Sequence, residues 1–354
     1  MRSIRSLLIV IILLIAGCYF LLQYNSYFSD GEIQLELNEI SDLPKLKSNQ
    51  ESKKTTELLN GDIFDMIGAS GDELIEILGS KPDRKDLSAY GYEWWIFQNG
   101  SDQYIQVGVE DDTVKTIYGI GDKLTSSPFE IGTSYDEIEK KFPFKNKITY
   151  QKGISFYSFL LKDEDLKTNP LIKLSDDLFL QCYFDSFTGK LSSIRLATGE
   201  IMLRQRFYEM EYRGNLPEEV TFSDEDWNTI EKGMERQIYD LTNINREKFD
   251  LNPLIFDDNV SKVAFSHSKD MFDQNYFSHY RPDGGGLKER LSEKEIYYLA
   301  AGENIAAQHS DAPAAVEGWM NSEGHREALL NEEYTHIGIG VYRLYYTQNF
   351  ILKP

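Results

Sequence analysis

The hydropathy pattern begins with a short basic segment that leads into a long apolar run. "MRSIRS" is followed by "LLIVIILLIAGCYFLL", so apolar side chains dominate from Leu7 to Leu22. This stretch is somewhat short for a helix that spans a bilayer, which takes about 20 residues, but it can extend through Tyr24. The arginines before it and the absence of basic residues directly after it agree with the positive-inside rule. Residues 1–22 are therefore predicted to place the body of the chain outside the cytoplasm.

This segment allows three interpretations. It is an uncleaved signal anchor, a lipoprotein signal in which "IAGC" is the lipobox and Cys18 is lipidated, or a signal peptide whose cleavage releases a secreted protein. A lipobox cysteine is usually followed by small or polar residues, whereas "YFLL" follows Cys18. The continuing apolar run favours the anchor, which would attach the protein to the membrane at its amino terminus.

A polar segment follows the apolar run. From residue 23 to residue 60 the chain contains "PKLKSNQESKKTTE" and has no sustained hydrophobic periodicity. A stretch of this composition is typical of a flexible linker. Residues 23–60 are predicted to tether the folded part to the membrane.

Residues 61–200 contain an internal repeat. "IGASGDELIEIL" begins at Ile67 and "IGTSYDEIEKKF" begins at Ile131, and in each copy a serine can cap a short helix. Alternating segments follow each helix, and "VEDDTVKTI" and "FDSFTGKLSSI" both predict a strand, a tight turn and a second strand. The pattern predicts an internally duplicated α+β domain with antiparallel strands. Each copy alone would leave a sheet face bare, so the two copies are expected to pair and bury it.

Helical spacing of apolar residues replaces this alternation after a connector, residues 201–232. In the last part, residues 233–354, "DDNVSKVAFSHSKDMFDQNYF" predicts a helix with Val260, Ala264, His267 and Met271 on one buried stripe. Pro313 fits the first turn of a further helix, and "HIGIGVYRLYYTQNFIL" predicts two final strands. His267 is accordingly predicted to be a core residue rather than a ligand.

The amino-acid composition of the chain limits the kinds of partner that it can bind. The formal net charge of the 354 residues is −21, with no basic cluster, which argues against binding of nucleic acid.

Outside the apolar run the only cysteine is Cys182, so no disulfide can link two folded segments. The folded parts must therefore be stabilised by their cores, which this length permits.

Five motifs in the last part occur in the order found in one known family. They are "LTNINREKFDLNPL", "SHSKDMFDQNYFSHYRPDGG", "AGENIA", "WMNSEGHREALLN" and "HIGIGVY" with "YYTQNF" after it. With them, residues 233–354 resemble the CAP superfamily (SCP domain), named for cysteine-rich secretory proteins, antigen 5 and pathogenesis-related proteins. Residues 61–200 resemble the CAP-associated amino-terminal domain of some Gram-positive bacteria, through the repeated "IG-x-S-x-x-E" pattern. The resemblance implies an α-β-α sandwich with a central antiparallel sheet.

The resemblance also implies a cleft built on two histidines and two glutamates. His279 of "FSH", Glu303 of "GEN" and His325 of "GHR" match three of these positions. The fourth, expected three residues after Trp319, is Ser322. Because one carboxylate is missing, tight metal binding and a shared catalytic activity are both disfavoured, and the sequence favours a protein that is not an enzyme.

The chemistry of these residues leaves two alternatives for the cleft. Two imidazoles and one carboxylate with an open position match some catalytic zinc sites, so His279, Glu303 and His325 could bind a divalent metal such as Zn²⁺ or Ca²⁺ weakly, with His336 as a further ligand. The same groups could instead form a hydrogen-bonded polar network that lines the cleft. The network is favoured, and no cofactor is required. Trp319 shares a helical face with apolar neighbours and is predicted to be core.

These observations predict a membrane-tethered protein of the cell envelope whose CAP cleft binds a lipid, peptide or cell-wall ligand. Metal-assisted hydrolysis of a peptide or wall component by His279, Glu303 and His325 is the enzymatic alternative. A scaffold that binds another envelope protein through the repeats of residues 61–200 is the third.

Overall fold

The computed structural model describes residues 58–354. The predicted anchor, Cys18 and nearly all of the predicted tether lie outside the described residues. Within 58–354, no helix has both the length and the apolar character that a membrane span requires.

The described chain forms nine helices of the α type and fourteen strands, after a short 3₁₀ turn at Ile63–Asp65. The first part contains α1 (Gly71–Leu78), β1 (Arg84–Leu87), β2 (Glu93–Asn99), β3 (Gln103–Glu110), β4 (Thr113–Ile120), α2 (Tyr135–Lys141), β5 (Lys147–Lys152), β6 (Ser155–Leu160), α3 (Asp163–Thr168), β7 (Leu171–Lys173), β8 (Leu178–Asp185), β9 (Lys190–Thr198), α4 (Gly199–Gln205) and β10 (Glu209–Arg213). The second part contains α5 (Asp224–Lys248), β11 (Ile255–Phe256), α6 (Asp258–Asp273), α7 (Leu287–Glu293), β12 (Ala300–Ala307), α8 (Ala312–Met320), α9 (Glu323–Leu329), β13 (His336–Tyr342) and β14 (Tyr345–Leu352).

The internal duplication is confirmed. Ser70 and Ser134 cap α1 and α2 through the same reciprocal capping box, with Glu73 and Glu137 as their partners. The hairpins β3–β4 and β8–β9 are equivalent elements of the two copies, and β4 pairs with β9 in antiparallel fashion. The result is one seven-stranded sheet in the order β1-β2-β3-β4-β9-β8-β7, with the junction between the copies at β4 and β9.

Pairing of the copies does not bury a sheet face, contrary to the expectation from the sequence, because the copies join edge to edge. One face of the seven-stranded sheet packs against α1 and α2, with Leu74 and Ile138 fully buried. The other face, which includes Trp94 and Tyr118, belongs to the same hydrophobic core as Ile230 of α5 and the apolar side of α8. The second part of the chain therefore covers the face that the repeats leave bare.

The second part is an α-β-α sandwich, as predicted. Its sheet has the order β11-β13-β14-β12, which leaves β12 at an edge. On β13, Gly338 and Gly340 lie so close to the backbone of α6 that a β-carbon at either position would collide with Val260 or Phe265. The alternating Ile337, Ile339 and Val341 are fully buried in the core shared with α5 and α8. The "IGIGV" motif thus sets the spacing of both helical layers.

The predicted connector, residues 201–232, is part of the folded structure. It includes most of α4, all of β10 and the start of α5, and β10 pairs with β6 in a separate three-stranded sheet, β10-β6-β5. The division into residues 61–200 and 233–354 stays a prediction, since a separated part would expose the core that the two share.

Candidate functional site

Glu303 lies in the middle of the edge strand β12, opposite Asn349 of β14. Only 5% of the residue is exposed. Its neighbour Asn304, on the other face of the strand, is fully buried and donates to the backbone oxygen of His325 at 3.0 Å and to Gln348 at 3.2 Å. Side chains alternate along a strand, so Glu303 and Asn304 point to opposite faces of β12. Because β12 is an edge strand, both side chains lie at the open edge of the sheet.

Protein groups occupy both oxygens of the Glu303 carboxylate. The Nδ1 atom of His279 lies 2.9 Å from Oε1, and the guanidinium of Arg290 in α7 contacts Oε2. With its amide oriented to satisfy both neighbours, Asn349 donates to Oε2 at 2.9 Å and accepts from the backbone nitrogen of Ala264. Burial raises the pKa of Glu303, but the hydrogen bond from His279 and the charge of Arg290 outweigh burial, so its pKa is lower than usual. Glu303 is therefore a fixed, ionised and fully partnered group.

His267 is a core residue, as predicted, yet it also lies against the site. Its Nε2 atom is 3.0 Å from the backbone oxygen of Ser278 and 3.9 Å from Oε1 of Glu303. Burial lowers the pKa of His267 to about 4, so the ring is neutral in ordinary conditions. Among the described residues, its buried Nδ1 atom has no hydrogen-bond partner.

His325 belongs to α9, on the other side of the β12 edge. Its Nδ1 atom is 2.9 Å from the hydroxyl of Ser322, the residue that precedes the first turn of α9. Ser322, which stands where the resemblance implies a glutamate, therefore still contacts a site histidine. Burial, together with smaller effects of His279 and His309, lowers the pKa of His325 to about 4.

The structure joins His279 to Glu303 directly, and links His325 to Glu303 only through the neighbouring Asn304. His336 lies elsewhere, at the start of β13, where it bonds Thr335 and has Lys353 as a charged neighbour.

This arrangement is a poor fit for a divalent metal. Arg290 places a fixed positive charge on Glu303, and a cation would have to displace it. Within residues 58–354, no three His, Cys, Asp or Glu side chains are grouped closely enough to hold a metal ion. Weak metal binding by His279, Glu303 and His325 stays a prediction, and it would require Arg290 to leave the carboxylate.

Sequence reasoning missed Arg290 and Asn349 as members of the site. One local signal existed for Asn349. Thr347, Gln348 and Asn349 are consecutive polar residues in a strand otherwise flanked by apolar ones, and all three are fully buried. Such groups must be hydrogen-bonded inside the protein, which indicates a polar network. The short helix of Arg290 carries no comparable signal.

His279 and His325, which are half-buried at the site, each have one ring nitrogen that a ligand can contact. Each uses its Nδ1 atom within the protein, His279 toward Glu303 and His325 toward Ser322. No hydrogen bond of either Nε2 atom to another described residue is present. Because an ionised carboxylate can only accept, the proton of a neutral His279 lies on Nδ1, and its Nε2 is an acceptor. The cleft can therefore accept a hydrogen bond from an N–H or O–H group.

Replacing Arg290 with glutamine is expected to reverse the contribution of Glu303 to the pH dependence of stability. In the wild type the lowered pKa gives stability that is present above the unfolded pKa of about 4.3 and is lost as pH falls through the folded pKa. Without Arg290, burial raises the pKa, so stability is lost as pH rises from the unfolded pKa toward the raised one. At neutral pH the loss should be about 3 kcal/mol, because a buried charge loses its partner.

Urea unfolding between about pH 4 and pH 8 measures this effect. Arg281→Gln is the matched control, because Arg281 pairs with Glu293 at the end of α7 and that carboxylate is exposed. Parallel stability–pH curves for the wild type and Arg290→Gln would contradict the assignment of Arg290 as the counter-charge of Glu303.

Comparison with known proteins matches both parts of the chain to family models. Residues 67–208 match the CAP-associated N-terminal model, and residues 239–352 match the model of the cysteine-rich secretory protein family, CAP. Among similar proteins, the uncharacterized membrane protein YlbC of Bacillus subtilis is 44% identical over 97% of both chains. The uncharacterized protein YkwD of the same organism is 43% identical over 34% of this chain and 47% of its own.

Two solved structures share the fold. An extracellular protein with an SCP domain from Bacillus anthracis has a TM-score of 0.79 and 41% identity, covering 86% of this chain and all of its own. A cysteine-rich secretory protein from Staphylococcus aureus has a TM-score of 0.73 and 26% identity, covering 83% of this chain and 94% of its own.

Proposed function

The chain belongs to the CAP family, with a CAP-associated amino-terminal domain, and from this premise we propose that it binds a ligand outside the cytoplasm through the cleft at the edge of β12. Two relatives support the location, since one is named a membrane protein and another an extracellular protein. The basic and apolar start of the sequence supports attachment to the membrane.

One observation carries the proposal of binding rather than catalysis. Glu303 has protein partners on both oxygens, so it is not available as a general base or as a nucleophile. Ser322 contacts the Nδ1 atom of His325, and within residues 58–354 no carboxylate hydrogen-bonds to that imidazole. On half-buried side chains of the site, the Nε2 atoms of His279 and His325 have spare hydrogen-bonding capacity. A site with fixed supporting groups and free imidazole nitrogens is suited to recognition.

The ligand class follows from the acceptor at Nε2 of His279. Amide N–H groups of a peptide and hydroxyl groups of a glycan can donate to a neutral imidazole, whereas an acyl chain cannot. Of the lipid, peptide and cell-wall ligands predicted from the sequence, the cleft therefore favours the peptide and glycan components of a cell wall.

Replacing His279 or His325 with alanine is expected to weaken binding to purified cell-wall sacculi about three- to tenfold, because each change removes one hydrogen-bonding Nε2 atom from the cleft. Co-sedimentation of the full, detergent-solubilised chain with sacculi measures the effect. His336→Ala is the matched control, because it removes an imidazole that contacts Thr335 and no group of the site. Equal binding by all four proteins would show that the cleft is not the binding site.

The same assay separates the alternatives. Release of soluble fragments that a chelator abolishes would indicate the metal-assisted hydrolase. Binding to anionic lipid vesicles but not to sacculi would indicate a lipid ligand. Capture of an envelope protein that is unchanged by His279→Ala and His325→Ala but lost on substitutions in residues 61–200 would indicate the scaffold.

A further inference from the structure

The turn between β8 and β9 contacts the cleft wall from the other part of the chain. This hairpin tip, residues 185–189, belongs to the second copy of the repeat. Its partners are Asn321 and Arg326, which flank Ser322 and His325 in sequence. The segment that carries Ser322 and His325 is therefore contacted on both sides of these residues by an element more than a hundred residues earlier in the chain.

Asp185 is the centre of the first contact. Its Oδ1 atom accepts from the backbone nitrogen of Phe187 at 2.9 Å and of Thr188 at 3.3 Å, which fixes the shape of the tip. Its Oδ2 atom accepts from the Arg326 guanidinium at 3.0 Å. The carboxylate and the guanidinium have side-chain exposures of only 10% and 12%, so solvent screens the pair less than it screens a surface pair.

The Arg326 side chain contacts two aromatic rings and a backbone oxygen in addition to Asp185. Its guanidinium lies 4.7 Å from the ring centre of Phe187 and 4.9 Å from that of Phe249, and its NH1 group donates to the backbone oxygen of Met320 at 2.9 Å. Since Met320 ends α8 and Arg326 lies in α9, this side chain links the two helices. His325 is the adjacent residue.

Asn321 supplies the second contact. Its side-chain oxygen accepts from the backbone nitrogen of Ser186 at 2.8 Å, and its amide nitrogen donates to the backbone oxygen of Glu317 at 3.2 Å. Asn321 immediately precedes Ser322, whose hydroxyl contacts His325. The tip thus constrains the backbone on both sides of the Ser322–His325 pair.

We propose that the β8–β9 hairpin tip positions Ser322 and His325 for ligand binding, with Asp185 acting through Arg326 and Ser186 acting through Asn321. The CAP-associated domain is then a part of the cleft's supporting structure rather than a spacer. The binding consequence rests on the proposed function of the cleft, whereas the positioning of His325 does not.

The test labels the five histidines of the full, solubilised chain with ¹³C at Cε1 and records their ring resonances. Asp185→Ala is expected to move the His325 signal and to leave those of His267 and His336 in place. It should also weaken binding to sacculi about fivefold, a typical size for coupling between two sites. Asn321→Ala should move the same signal, because it removes the oxygen that accepts from the backbone nitrogen of Ser186.

Arg236→Ala is the control for loss of contact between the two parts. Arg236 of α5 pairs with Asp86 of β1 at 2.7 Å, and neither residue contacts the cleft wall. The proposal is overturned if Asp185→Ala leaves the His325 signal unchanged, or if Arg236→Ala moves it equally. If Asp185→Ala shifts the His325 signal but the wild type does not bind sacculi, positioning is supported and the result counts against the proposed function alone.

Discussion

Replacing Asp311 with alanine is expected to destabilise the folded chain by about 3–5 kcal/mol, because a buried guanidinium then loses its counter-charge. Arg195 of β9 and Asp311 at the start of α8 form two hydrogen bonds, at 2.6 and 2.9 Å, and both side chains are almost completely buried. Asp311 also accepts from Gln205 and caps α8 through the backbone nitrogen of Ala314. The substitution therefore removes an ion pair and a helix cap together.

The pair also joins the two parts of the chain, since β9 belongs to the repeat and α8 to the CAP domain. Loss of the Arg195–Asp311 pair should lower the urea concentration at the midpoint of unfolding. Glu211→Ala is the control, because Glu211 pairs with Lys147 on the surface and such pairs contribute about 1 kcal/mol or less. A change for Asp311→Ala no larger than that of the control would mean that Arg195 finds another partner or reaches solvent.

Replacing Trp319 with alanine is expected to cost about 3–5 kcal/mol, because it leaves a large cavity in the core. Trp319 is 2% exposed, and its indole nitrogen donates to the backbone oxygen of Ile305 at 3.0 Å. The side chain lies in the hydrophobic core that α8 shares with the seven-stranded sheet. Its removal therefore weakens the CAP domain and its contact with the repeat at the same site.

Two further variants make this result interpretable. Trp319→Phe keeps an aromatic ring and loses the hydrogen bond, so it should cost clearly less than Trp319→Ala. Tyr297→Ala, at a residue that is 86% exposed, should change stability by about 0.5 kcal/mol or less. If Trp319→Ala behaved like Tyr297→Ala in thermal or urea unfolding, Trp319 would not be a core residue in solution.

Local features of the sequence determined much of the secondary structure. The serines at positions 70 and 134 and the glutamates three residues later predicted two capped helices, because a capping box involves only residues of one turn. The stripe of Val260, Ala264, His267 and Met271 predicted the buried face of α6 in the same way. The family motifs then indicated the residues that meet at the site, as His279 and Glu303 do.

The tertiary structure decided which groups surround those residues. Arg290 and Asn349 reach Glu303 from α7 and β14, and nothing in the local sequence of either one specifies that contact. A bare sheet face on each single copy was predicted, but the expectation that the other copy buries it was wrong, because an apolar face specifies no particular partner. The contact of the β8–β9 hairpin tip with α9 could not be predicted either. Asp185 and Arg326 are 141 residues apart, and only the packing of two complete domains places them together.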